Sequence, residues 1–210
     1  MNKILEKIND TFRENRGYYV VVLILFCVGI VIGTYTVKYM NTTDKGDLSS
    51  YFTTFINSIC DKSVNYNNLL FNVIKKNLYL IIPIIICAFT FIGTPFILII
   101  DFIKGFTLGY TFTFLLTTFE GKGFLLAFSS TLLQNLIYIP CLMVLSVIAL
   151  QSSVEKFKSR FLKNCINRNL DIKSFINVTI ILTGFFMIAI LIETYICPSI
   201  IKFVVYKLYL

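Results

Sequence analysis

Apolar residues along this chain are gathered into long runs. The longest, residues 78–119, spans 42 positions and holds only two charges, Asp101 and Lys104. A bilayer core needs about 20 apolar residues per helical crossing. The run therefore predicts two crossings, 78–100 and 102–119, with the reversal at Asp101 and Lys104, where the charges reach headgroups. Three more runs have crossing length: 18–37, 124–150 and 175–197. The pattern predicts an all-α, polytopic integral membrane protein with about five transmembrane helices, forming a single membrane domain over residues 1–210.

Residues 38–77 leave this pattern. After a polar link, Leu48, Tyr51, Phe52, Phe55, Ile56 and Ile59 fall at helical spacing, and Leu69, Leu70, Val73 and Ile74 repeat the stripe. The opposite faces are too polar to span, so the stretch reads as an extracytoplasmic amphipathic helical segment. It either packs on the bundle or forms a membrane-surface platform for a partner. Residues 1–17, with Ile4, Leu5, Ile8 and Phe12 at helical spacing, read as a cytoplasmic amphipathic helix. Their mixed charge is unlike a signal-peptide n-region, and the segment is expected to stay uncleaved. Residues 120–123 read as a minimal turn and 151–174 as a basic cytoplasmic loop. The tail 198–210 reads as an interfacial helix or an incomplete sixth segment.

Within the runs, particular residues carry expectations. Gly29 and Gly33, and again Gly105 and Gly109, form GxxxG pairs that allow close helix approach. Pro83 and Pro95 interrupt the second run, with a kink expected at Gly93-Thr94-Pro95. Asp101 and Lys104, three residues apart, read as a local ion pair closing the hairpin. Gln134 and Asn135, one turn before Pro140, are amides in hydrocarbon and should bond to other helices rather than face lipid; lining a pore is the alternative. Glu193, shortly before Pro198, is the one acid inside an apparent crossing. It reads either as an interfacial carboxylate reaching water, Lys202 or Lys75/Lys76, or as a coupling or partner-binding group.

Composition agrees with lipid as the solvent: 57% of residues are hydrophobic and 14% charged, against about 25% charged in soluble domains. Trp is absent, so Tyr18 and Tyr19 at one end of the first crossing, and Tyr35 and Tyr39 at the other, must serve the interfacial belt. The net charge of +8 is scattered around apolar runs, so nucleic-acid binding is not indicated. The positive-inside rule favours a cytoplasmic N-terminus and an extracytoplasmic C-terminus, with six Lys/Arg in 151–174 on the inner side. Without His, and with six Cys in no CxxC spacing, no metal site is indicated. Cys27, Cys87 and Cys141 read as small hydrophobes, and Cys60 and Cys197 leave a disulfide open. No phosphate-loop, HExxH, GxSxG or dinucleotide fingerprint occurs. Catalytic residues and cofactors are therefore expected to be none, and the chain is expected not to be an enzyme.

Three stretches in order carry a resemblance. Asp101-Phe-Ile-Lys104-Gly105-Phe106-x-x-Gly109, then Leu133-Gln134-Asn135-Leu136-x-x-Ile139-Pro140, then Glu193-x-Tyr195-x-x-Pro198 resemble the successive signatures of the stage II sporulation protein M family. Leu133 departs from the proline that family carries there. The resemblance implies a membrane protein of the sporulation septum and engulfing membrane during endospore formation. It also implies a scaffold that localises peptidoglycan-degrading partners, the stage II sporulation proteins D and P (a lytic transglycosylase and an amidase, both membrane-anchored). A more distant likeness to the membrane domains of type 2 ABC exporters implies a homodimer. The rival reading is a transporter or channel subunit working with a separate ATPase.

Overall fold

The computed structural model describes residues 16–61, 65–118, 120–161 and 172–209. Among them the secondary structure is all helical, with no strand. We label the helices α1 (Arg16–Lys38), α2 (Thr42–Asp61), α3 (Tyr66–Ala88), α4 (Gly93–Thr118), α5 (Glu120–Ala127), α6 (Leu133–Phe161), α7 (Ile172–Leu191) and α8 (Cys197–Tyr209). Two wider π-helical turns, Phe128–Leu132 and Ile192–Ile196, join α5 to α6 and α7 to α8. Five helical stretches are long and apolar enough to cross a membrane: Arg16–Lys38, Tyr66–Ala88, Gly93–Thr118, Asn135–Arg160 and Val178–Phe203.

The reversal between the second and third crossings is not at Asp101 and Lys104. It lies at residues 89–92, and α4 runs unbroken through both charges. Two local features place it there. A Cβ on Gly93 would overlap the carbonyl of Cys87, so the chain can fold back this tightly only on glycine. Pro95 then falls in the first turn of α4, where a missing N–H removes no helical bond, so Gly93-Thr94-Pro95 starts a helix instead of kinking one. At its other end α3 reaches back into the expected outer segment. The Asn65 side chain accepts the Asn68 N–H at 3.4 Å as an N-cap, so residues 66–77 are helical and continuous with the apolar half of α3.

Two further boundaries move. Helix α6 continues to Phe161, so the first eleven residues of the expected basic loop are helical. Helix α7 passes through its π turn directly into α8, so the tail 198–209 continues the last helix. The expectations for residues 1–15, for the loop 162–171, for Cys60 and for the Gln134 side chain fall outside the described residues and side chains. Cys197 is a buried free thiol.

Lipid is as apolar as leucine, so packing and backbone approach must hold the bundle together. The tightest contact is between α1 and α4. Val22, Phe26, Gly29, Gly33 and Val37 make one buried stripe on α1; Gly93, Ile97, Asp101, Gly105 and Gly109 make another on α4. The two GxxxG pairs interlock. A Cβ on Gly29 or Gly33 would overlap the carbonyl of Phe102 or Phe106, and one on Gly105 or Gly109 the carbonyl of Phe26 or Ile30. Thr113 Oγ1 adds a bond to Thr34 Oγ1 at 3.2 Å across the same seam. On the other side of α4, Ile84, Tyr138, Leu142, Leu145 and Phe186 from α3, α6 and α7 build the apolar core.

Candidate functional site

Helix α4 faces α6 antiparallel, and two polar pairs bridge them two turns apart. Thr94 Oγ1 donates to Ser153 Oγ at 3.2 Å; seven residues on, Ser146 Oγ donates to Asp101 Oδ1 at 2.7 Å. Asp101 is 1% exposed, and its Oδ2 has no hydrogen-bond partner. Asp101 and Lys104 do not pair with each other. Both sit mid-helix, and the bundle supplies each with a different neighbour: Asp101 meets Ser146, while the Lys104 ammonium lies 5.1 Å from the Tyr138 ring centroid.

Glu193 lies within the last membrane-length stretch, Val178–Phe203, which continues ten residues past it. The π turn Ile192–Ile196 aims it at α3. Lys76 Nζ stands 3.7 Å from one carboxylate oxygen, and Asn77 Nδ2 donates to the other at 3.5 Å. Lys76 was one of the partners expected for this acid. It is 62% exposed at its side chain while Glu193 is 13% exposed, so screening keeps this pair weak. Lys104 lies within electrostatic reach of both Lys76 and Glu193, and Tyr138 within reach of Glu193. Glu193 therefore has groups of α3, α4 and α6 around it.

The π turn itself follows from sequence. Pro198 has no N–H to give Thr194, and the Cys197 N–H reaches back five residues to the Ile192 carbonyl. Thr194, fully buried, bonds the Ile190 carbonyl at 2.8 Å. Pro198 is buried at the start of α8. Tyr195 stacks on Tyr66 with centroids 5.6 Å apart, fixing this end of the last crossing to the start of α3.

The remaining candidates have structural settings. Gly105 and Gly109 form the seam with α1. Asn135, 5% exposed, donates to the Thr131 carbonyl at 2.7 Å, an acceptor inside the π turn of its own segment and not on another helix. Pro140 lies exposed within α6.

At the opposite end from α2, the basic end of α6 clasps the reversal. Ser153 Oγ donates to the Thr90 carbonyl at 2.9 Å, and Lys156 Nζ to the Ala88 carbonyl at 3.3 Å. Lys156 lies 4.5 Å over Phe89, and Arg160 lies 4.8 Å over Phe91. These cations sit at the C-terminus of α3, where its free carbonyls and dipole favour positive charge.

Reading the sequence missed Asn77, Tyr138, Ser146 and Ser153. A signal for three of them exists: Val73, Asn77, Ile84 and Ala88 share the buried stripe of α3, and Ser146 and Ser153 are a heptad apart on α6. Among the described residues no cluster of His, Cys, Asp and Glu is arranged to hold a metal. The family described as Stage II sporulation protein M matches residues 22–198 of the chain. Comparison with curated proteins and with solved structures returns no match.

Proposed function

The chain belongs to the stage II sporulation protein M family, and from that premise we propose that it is a non-enzymatic scaffold of the engulfment machinery. In this reading it sits in the sporulation septum and engulfing membrane and holds two membrane-anchored peptidoglycan hydrolases, the amidase and the lytic transglycosylase. The observation that carries the reading is the helical layer on one end of the bundle. Helix α2 stands outside the apolar core, anchored through Leu48 on the cluster of Val37, Phe114, Leu115 and Ala127, and touches α8. Tyr51 on α2 and Tyr39 just before it stay more than 70% exposed. Exposed tyrosines with a wet hydroxyl suit contact with a partner at the membrane surface.

Orientation supports the same reading. Counted along the sequence, ten of the nineteen Lys/Arg fall in stretches 1–16 and 151–174, which adjoin the helix ends on the side of the reversal, and six fall in 38–62, at 122 and in 202–207; Lys75, Lys76 and Lys104 lie between. The positive-inside rule then puts the reversal in the cytoplasm and α2, α5 and α8 outside, where peptidoglycan is. The test is capture of the amidase from sporulating cells by a chain with residues 48–61 scrambled. Loss of capture with the bundle intact is expected; unchanged capture contradicts docking on α2. The scramble stops at 61 because α3 starts at Tyr66 and its sequence builds the bundle.

A second reading, a transporter or channel subunit with a separate ATPase, is favoured by one observation: ionisable groups from separate helices gather around Glu193 inside a membrane-length stretch. Co-purification with a nucleotide-binding subunit, or flux in proteoliposomes, supports it. Absence of both alongside amidase capture leaves the scaffold.

A further inference from the structure

Helix α3 is polar in one half and apolar in the other. Asn67, Asn68, Asn72, Lys75 and Lys76 fall before its midpoint, whereas residues 78–88 carry no charge and no amide. Lipid chains solvate such a half-helix poorly, so its polar face offers water and ions a route from the α2 end towards Asn77. The Glu193 cluster is at the floor of that polar surface.

Two hydrogen-bond donors at this depth have no acceptor. Among the described residues Lys76–Glu193 is the one ion pair, so Lys104 has no carboxylate at ion-pair distance and lies over the Tyr138 ring. The Tyr138 hydroxyl, on a residue 2% exposed, makes no hydrogen bond. Glu193 is engaged by Lys76 and Asn77, and Asp101 turns to Ser146 on α6. Two lysines against one glutamate leave the cluster an excess positive charge. An unneutralised ammonium inside a bundle is costly, and an anion accepting from both donors offsets that cost.

We propose that Lys104, Lys76 and Tyr138 form a binding site for an oxyanion, a phosphate or carboxylate group, entered along the polar half of α3. The site does not depend on the scaffold reading, since anion binding and amidase capture are measured separately. The α4 stretch that supplies Lys104 is fixed on its other face by the glycine seam, so the ammonium is held in place before the ligand arrives.

The test uses the purified full chain in dodecyl maltoside, a detergent without phosphate. Thermal unfolding is followed at constant ionic strength while inorganic phosphate is added in one arm and phosphatidylglycerol in the other. A saturable rise in melting temperature is expected in at least one arm. A rise with free phosphate identifies a water-borne anion, and a rise with phosphatidylglycerol alone identifies a lipid headgroup. Lys104→Met should weaken binding at least about tenfold and Tyr138→Phe about fivefold. Glu193→Gln should tighten it about threefold by removing the competing negative charge, a change of sign that a purely structural role does not produce. Lys104→Arg should retain binding, which keeps the test decisive if the Met variant fails to fold. No saturable shift in either arm, or shifts of equal size in wild type, Lys104→Met and Glu193→Gln, overturn the proposal.

Discussion

Neighbouring residues on α4 serve opposite purposes. Gly105 and Gly109 face α1 across a contact with no room for a methyl group, while Lys104, one residue away, faces the charge cluster of α3, α6 and the last crossing. The four glycines of the seam with α1 hold the helices together by backbone approach. The cluster has an ammonium without an ion pair, a hydroxyl without a bond and a carboxylate with two loose contacts. The difference teaches where this bundle keeps its rigidity and where it keeps its chemistry. Close glycine packing fixes α4 against α1, and that fixed helix can then carry incompletely satisfied polar groups on its other face.

Breaking the seam should have the largest effect. Gly33→Leu or Gly105→Leu puts a side chain where a carbonyl already is, so α1 must move away from α4. We expect a loss of about 3–5 kcal/mol, read as failure to accumulate or as a large drop in detergent unfolding midpoint. Gly184, whose Cβ would meet nothing within 4 Å, is the control: Gly184→Leu should be nearly neutral.

Asp101 lies between the two regions, on the seam stripe but bonded to α6. Asp101→Leu leaves the Ser146 hydroxyl without its acceptor in the core and should cost about 2–3 kcal/mol. Asp101→Asn keeps an acceptor for Ser146 and removes a carboxyl oxygen that has no partner, so it should lie within about 1 kcal/mol of wild type. Equal damage from both changes would mean that the charge at Asp101, and not the bond to Ser146, matters. Ser153→Ala removes one of the bonds that tie α6 to the reversal and should cost about 1 kcal/mol, with proteolysis at residues 89–92 as the sensitive readout. Glu193→Gln should change unfolding least, by under about 0.5 kcal/mol, because its lysine partner is largely exposed. A large destabilisation there would place Glu193 with the seam as structure.

The five crossings, the all-helical class and both glycine motifs were legible in the sequence, since each depends on local pattern: run length and small residues four apart. The position of the reversal was not. A charge in an apolar run reads as a mark of the membrane surface, yet inside the bundle Asp101 meets Ser146 and Lys104 lies over Tyr138, neighbours 45 and 34 positions away in sequence. The punctuation that does mark the reversal, Gly93 and Pro95, reads equally as a kink, because a proline near a helix start and one inside a helix look alike without the partner carbonyl of Cys87. The pairing of Lys76 with Glu193 was legible as one of several options, because both lie at the polar edge of their runs. Asn77 and the cation–π contact of Lys104 depend on which helices become neighbours, and periodicity within one helix does not encode that.

The proposed topology has the layer of α2, α5 and α8 outside and the 89–92 reversal in the cytoplasm. In a background with the native cysteines replaced, Tyr51→Cys and Phe91→Cys are labelled on intact cells with a membrane-impermeant maleimide. The account predicts labelling at residue 51, and none at residue 91 until the membrane is permeabilised. Labelling at residue 91 and protection at residue 51 would contradict it.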